Sequence, residues 1–206
     1  MTGKLIILEG ADCAGKTTLA NRIIDFYGQD RTAYYHSTYN KDMDVFADHK
    51  RTLDLARAEL ENRAVVILDR HWISECIYGT VYRDGCSYSH LSAYFHNQIM
   101  QLGGEYILCI PEKQLQLQQH AELSKTRQEM FADISGVVDA YWDLWHGKPP
   151  AHGLAPEDIQ HQNHVSHLTA IGGVHNLPHF HRWNWAEHDA YFAEFIQTVI
   201  QGGKNE

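Results

Sequence analysis

Residues 5–18 read Leu5-Ile6-Ile7-Leu8-Glu9-Gly10-Ala11-Asp12-Cys13-Ala14-Gly15-Lys16-Thr17-Thr18. The four leading apolar residues suit a strand buried on both faces. Gly10 to Thr17 then match G-x-x-x-x-G-K-[ST] without a mismatch. From Lys16 the period changes: Leu19, Ile23 and Tyr27 recur at helical spacing, and Gly28 closes the segment. A glycine-rich loop between a strand and a helix wraps a phosphate in inward-pointing N–H groups. Gly10, Cys13, Ala14, Gly15, Lys16, Thr17 and Thr18 are therefore the expected ATP-binding residues. Lys16 is expected to reach the β- and γ-phosphates, and the Thr17 hydroxyl to join an Mg²⁺ shell.

Outward from this loop, apolar and amphipathic segments alternate. Thr32–His36, Ala64–Leu68 and Tyr106–Ile110 read as further strands, the last stopped by Pro111. Helical stripes run from Val45 to Asn62, from Tyr88 to Leu102, from Met130 to Trp145 and from Phe192 to Ile200. His179–Trp185 alternates like a fifth strand. The expected architecture is an α/β sandwich with a mostly parallel five-stranded sheet and ligands beyond the strands' carboxyl ends. The chain reads as one domain over residues 1–206.

Composition narrows the function. The chain has 26 acidic and 17 basic side chains, a formal charge of −9, which argues against a nucleic-acid coating protein. It leaves room for a local basic pocket that takes a small phosphorylated ligand. No apolar run approaches the roughly 18–20 residues that span a bilayer. Short of a secretory signal, and with no Cys-x-x-Cys among Cys13, Cys76, Cys86 and Cys109, the sequence predicts a cytoplasmic protein with reduced thiols. Histidines crowd residues 151–178, a segment without a recognised zinc pattern. It reads as a solvated insertion, or as a loop packing near the adenine of ATP.

The third strand ends in Leu68-Asp69-Arg70-His71. An acidic group beside the phosphate loop can hold Mg²⁺ or orient the attacking oxygen, and an adjacent arginine offers a fork for a second phosphate.

Residues 8–18, with Asp69-Arg70-His71-Trp72-Ile73-Ser74-Glu75-Cys76-Ile77-Tyr78-Gly79, make the chain resemble the thymidylate kinase family of P-loop nucleoside monophosphate kinases. The Trp72–Glu75 wording looks most like members encoded by bacteriophages. The resemblance implies a P-loop NTPase three-layer sandwich with a helical lid at about 118–130. It implies ATP-dependent phosphorylation of a deoxynucleoside 5′-monophosphate, with dTMP as the best single acceptor. The alternatives are a purine monophosphate acceptor, a deoxynucleoside kinase with Asp69 or Glu9 as base, and a nucleotide switch without transfer activity.

Carried over residue by residue, Arg70 looks like the arginine that grips the acceptor phosphate, and Asp69 like the partner of Mg²⁺ and the moving phosphoryl group. Asp12 matches a carboxylate on the sugar 3′-hydroxyl. Tyr78 matches an aromatic that disfavours a 2′-hydroxyl. Glu75 stands where the family has a small or polar residue, so it is a candidate base or sugar contact. Cys13 replaces an arginine that one family branch carries in the loop. Lys125-Thr126-Arg127-Gln128-Glu129 resembles the other branch's lid, so Arg127, assisted by Lys125, is the expected transition-state cation. Lys50 and Arg51 are expected at the acceptor site for their charge on the preceding helix. The implied partners are small-molecule nucleotides, neither nucleic acid nor membrane, and a second copy in a homodimer through the Tyr88–Leu102 helix.

Overall fold

A computed structural model describes residues 3–39, 42–83, 85–126, 133–147, 164–170 and 172–201. Five strands form one all-parallel sheet in the order β2-β3-β1-β4-β5, with β1 Lys4–Glu9, β2 Thr32–His36, β3 Val65–Asp69, β4 Glu105–Cys109 and β5 Phe180–Trp183. β1 lies between β3 and β4 while the chain passes first to β2. The crevice at its carboxyl end is therefore the switch point where an open α/β sheet binds ligands.

The apolar run of β1 is buried on both faces, as a central parallel strand requires. Leu5 and Ile7 join a core with Leu53 and Ala56 of α2 (Val45–Glu59), Trp72, Ile73 and Ile77 of α3 (Trp72–Tyr82), Phe95 and Ile99 of α4 (Ser92–Gln101) and Tyr141 of α6 (Ser135–His146). Ile6 and Leu8 join the opposite core, with Leu19 and Ile23 of α1 (Lys16–Tyr27) and Ile196 and Val199 of α9 (Phe192–Gln201). Three layers result. The fifth helix, α5 (Lys113–Ser124), leaves the end of β4, and α8 (Trp185–His188) follows β5.

Two elements depart from the sequence reading. The helix α3 carries no one-sided stripe: Trp72, Ile73, Ser74, Glu75, Cys76, Ile77 and Gly79 are all buried. A helix enclosed on most sides shows no clean amphipathic period. Within the segment read as a loose insertion, His164–Ala170 form a short helix, α7. It is seated by the Ser92 hydroxyl, which accepts from the His164 backbone N–H at 2.8 Å. The His164, His179 and Phe180 rings gather around His96 and Tyr106 on the same face, with centroids 5.0–6.2 Å from His96. Residues 151–163 and the far end of the expected lid, 127–130, lie outside the described residues. Among the described residues no helix is long and apolar enough to cross a membrane.

Candidate active site

The phosphate loop closes tightly on the sheet. At Gly10 φ is +150°, and a Cβ there would stand 2.6 Å from the Cys109 carbonyl oxygen, so only glycine fits between β1 and β4. Gly15 caps α1 in the left-handed region at φ +85°, and the Trp185 ring lies 3.3 Å from where its Cβ would be. The first turn of α1 holds no acidic residue and receives no side-chain cap. Its amide groups and the positive end of its dipole thus face the loop without a competing carboxylate. Gln116, buried on α5, donates to the Asp12 carbonyl at 2.8 Å and ties the base of the expected lid to the loop.

Lys16 is buried, and its ammonium donates to the carbonyls of Gly10 and Ala11, each at 2.9 Å. Burial pulls its pKa down, aided by the Arg70 charge, while Asp69 and Asp12 oppose the shift. A triphosphate would supply the anion that this cation lacks. Thr17 and Thr18 are exposed at the loop's mouth.

Asp69 closes β3 fully buried. Burial pushes its pKa up, but the His36 hydrogen bond, the Lys16 charge and the Tyr34 hydroxyl outweigh it, and the net shift is down. The carboxylate is therefore ionised. Its Oδ2 accepts from the Tyr34 hydroxyl at 2.8 Å and lies 3.2 Å from His36 Nδ1, whereas Oδ1 is buried with no hydrogen-bond partner among the described residues. An orphaned buried carboxylate oxygen beside a phosphate loop fits a hydrated cation. Among the described residues no group of three or more His, Cys, Asp or Glu could hold a metal. Mg²⁺ bound with a triphosphate needs no such group, because one or two protein oxygens and the phosphates complete its shell.

Arg70 follows at φ +70°, a left-handed conformation that costs a non-glycine residue about 1–3 kcal/mol. The turn aims its guanidinium back at the loop. It donates to the Gly10 carbonyl at 3.3 Å, pairs with Asp12 and lies 4.8 Å over the Tyr78 ring centroid. The structure thus brings Asp12, Arg70 and Tyr78 together beside Lys16. The next residue, His71, stacks on His49 with centroids 4.4 Å apart. Burial lowers both pKa values, that of His49 to about 3, so this pair is a neutral core contact.

Other expected site residues sit elsewhere. Glu75 is buried and accepts from Arg83 at 2.6 Å and from the Ser87 backbone and hydroxyl at 3.1 and 2.7 Å. Its carboxylate is engaged by Arg83 and Ser87. Lys50 and Arg51 are exposed on α2 and pair with Asp54 and Asp48 on their own helix. Lys125 caps α5 in solvent, paired with Glu122 at 2.9 Å. Arg127 lies outside the described residues.

Several participants were not anticipated. Tyr34 and His36 reach Asp69 only because β2 pairs with β3 in register. Ser74 and Tyr141 stand on Glu9 Oε2 at 2.5 and 3.1 Å, and the His71 backbone N–H donates to Oε1 at 2.9 Å. The one local signal was the Tyr34-x-His36 spacing, which puts two polar side chains on one face of an edge strand.

The comparisons with known proteins add the fold. Structures similar to this chain include the YorR protein from Bacillus subtilis, solved in complex with phosphorylated GDP, at 15% identity and a TM-score of 0.59, covering 98% of this chain and 100% of that one. Thymidylate kinase from Candida albicans is 12% identical with a TM-score of 0.51, covering 100% and 96%. Polyphosphate kinase 2 from Arthrobacter aurescens is also 12% identical, with a TM-score of 0.51, covering 98% and 67%. This chain shares the fold of these structures, a five-stranded parallel sheet with helices on both sides. No protein-family model and no curated protein sequence matches the chain.

Proposed function

We propose that the protein transfers the γ-phosphoryl group of ATP to a deoxynucleoside 5′-monophosphate, with dTMP the first acceptor to test. The observation that carries this reading is Arg70, turned by its left-handed backbone into the phosphate-loop crevice beside Lys16 and Asp12. One cation belongs to the loop, and the second offers a fork for another phosphate.

In this reading Lys16 leaves the loop carbonyls for the β- and γ-phosphate oxygens. Thr17 and Asp69 would hold Mg²⁺, which would neutralise phosphate charge. Arg70 exchanges part of its pairing with Asp12 for the acceptor phosphate, freeing Asp12 for the sugar. An acceptor phosphate oxygen attacks the γ-phosphorus, the bond to the β-phosphate oxygen breaks, and ADP departs. Catalysis is positioning and charge neutralisation, without a covalent enzyme intermediate.

In the nucleoside-kinase alternative Asp69 is the more open of the two candidate bases, since Glu9 accepts from Ser74, Tyr141 and the His71 backbone N–H. The purine alternative draws support from YorR, whose structure contains phosphorylated GDP. The homodimer belongs to the same proposal: Leu91 and Tyr94, at the start of α4, are exposed, and light scattering would give twice the chain mass.

The test is a coupled ADP-release assay with ATP and Mg²⁺ against each deoxynucleoside monophosphate and each deoxynucleoside. Turnover on dTMP supports the reading with its base, and turnover on dGMP keeps the chemistry and moves the base. Turnover on nucleosides alone would contradict the role given to Arg70.

A further inference from the structure

The edge strand β2 sends two side chains to one carboxylate. Parallel pairing sets His36 opposite Asp69, and strand alternation puts Tyr34, two residues earlier, on the same face. The Tyr34 hydroxyl donates to Asp69 Oδ2 at 2.8 Å, and His36 Nδ1 stands 3.2 Å from that same oxygen.

A carboxylate turns readily about its last side-chain bond, where the torsional profile is broad. Two partners on Oδ2 remove that freedom. The oxygen left open is Oδ1, buried and without a partner among the described residues.

We propose that Tyr34 and His36 are positioning residues that set Asp69 for Mg²⁺, holding its Oδ2 so that Oδ1 is presented to the cation. This rests on the reading of Thr17 and Asp69 as the Mg²⁺ pair. Partners of this kind orient the residues that touch a metal, and losing one typically weakens metal affinity about 10- to 100-fold.

The test is calorimetric titration of ATP at a series of Mg²⁺ concentrations, with metal-free ADP binding and melting temperature measured in parallel. Tyr34→Phe and His36→Ala should each raise the Mg²⁺ needed for half-maximal ATP binding about 10-fold. Metal-free ADP affinity should stay at the wild-type value. His36→Asn, which keeps a donor near the Nδ1 position, should recover most of the loss. An unchanged Mg²⁺ dependence in Tyr34→Phe would overturn the proposal. So would an equal loss of metal-free ADP binding, since that marks a purely structural role. A wild-type protein whose ATP binding ignores Mg²⁺ would overturn the metal assignment itself, a result distinct from failure of the variants.

Discussion

Glu9 and Asp69 end two adjacent strands, and both carboxylates are fully buried, yet their environments push them in opposite directions. Register explains the split. Asp69 lies opposite Leu8, so it shares the face that Leu8 presents to α1 and the phosphate loop. Glu9 is one residue further and points to the other face, toward α3 and α6. There burial raises its pKa, and the Ser74 hydrogen bond, the Arg70 charge, the His71 backbone N–H and Tyr141 recover only part of the shift. Asp69 faces Lys16, His36 and Tyr34, and its net shift is down. Glu9 has both oxygens engaged, and Asp69 has one oxygen without a partner among the described residues. Burial alone therefore does not tell the two carboxylates apart; the oxygen left open beside Lys16 is what fits Asp69 to the proposed Mg²⁺ role.

Replacing each carboxylate by its amide should separate them most sharply. Asp69→Asn removes the charge proposed to hold Mg²⁺ and should lower kcat roughly 100- to 1,000-fold in the ADP-release assay. Glu9→Gln should leave kcat within a few-fold; a loss as large as that of Asp69→Asn would erase the distinction. Arg70 touches the field of both groups. Arg70→Ala should raise the acceptor KM about 10- to 100-fold, the worth of a charged hydrogen-bonded contact, with the KM for ATP nearly unchanged.

Smaller effects concern stability. Removing the Ser74 hydroxyl strips a donor from Glu9, so Ser74→Ala should cost about 1–3 kcal/mol in denaturant unfolding. The pH dependence of Glu9→Gln has a fixed sign. Because the folded pKa of Glu9 is raised, the wild type loses stability as pH rises through that value, where the folded state must give up a proton it holds more tightly than the unfolded chain. Glutamine does not titrate, so the melting temperature of Glu9→Gln relative to wild type should increase from acid toward neutral pH. A constant difference would show that Glu9 titrates normally.

The loop side of this comparison was legible in the sequence and the remainder only in part. Phosphate binding by backbone amides needs its glycines, lysine and threonine next to one another, so residues 10–17 announced the loop, and two apolar strands announced the sheet. Arg70 stood beside Asp69 in one short motif. Tyr34, His36, Ser74 and Tyr141 carry no such local mark. Their roles arise where segments 33 to 132 residues apart meet, and register fixes those meetings. Charge alone does not place Lys50 and Arg51, because a basic helix face also finds its own acidic neighbours, here at i+4 and i−3. Glu75 stood near the motif, but Arg83 and Ser87, beyond the end of its own helix, claim it.

The most direct test of the account is calorimetric binding of a dinucleotide in which adenosine and deoxythymidine are joined through five phosphates, with Mg²⁺ present. A donor loop and an acceptor clamp sharing one crevice would bind it far more tightly than ATP or dTMP alone, by roughly 100-fold or more. Both Lys16→Ala and Arg70→Ala should weaken it. Affinity no greater than that of ATP, unaltered by Arg70→Ala and unimproved by the deoxyguanosine counterpart, would contradict the account.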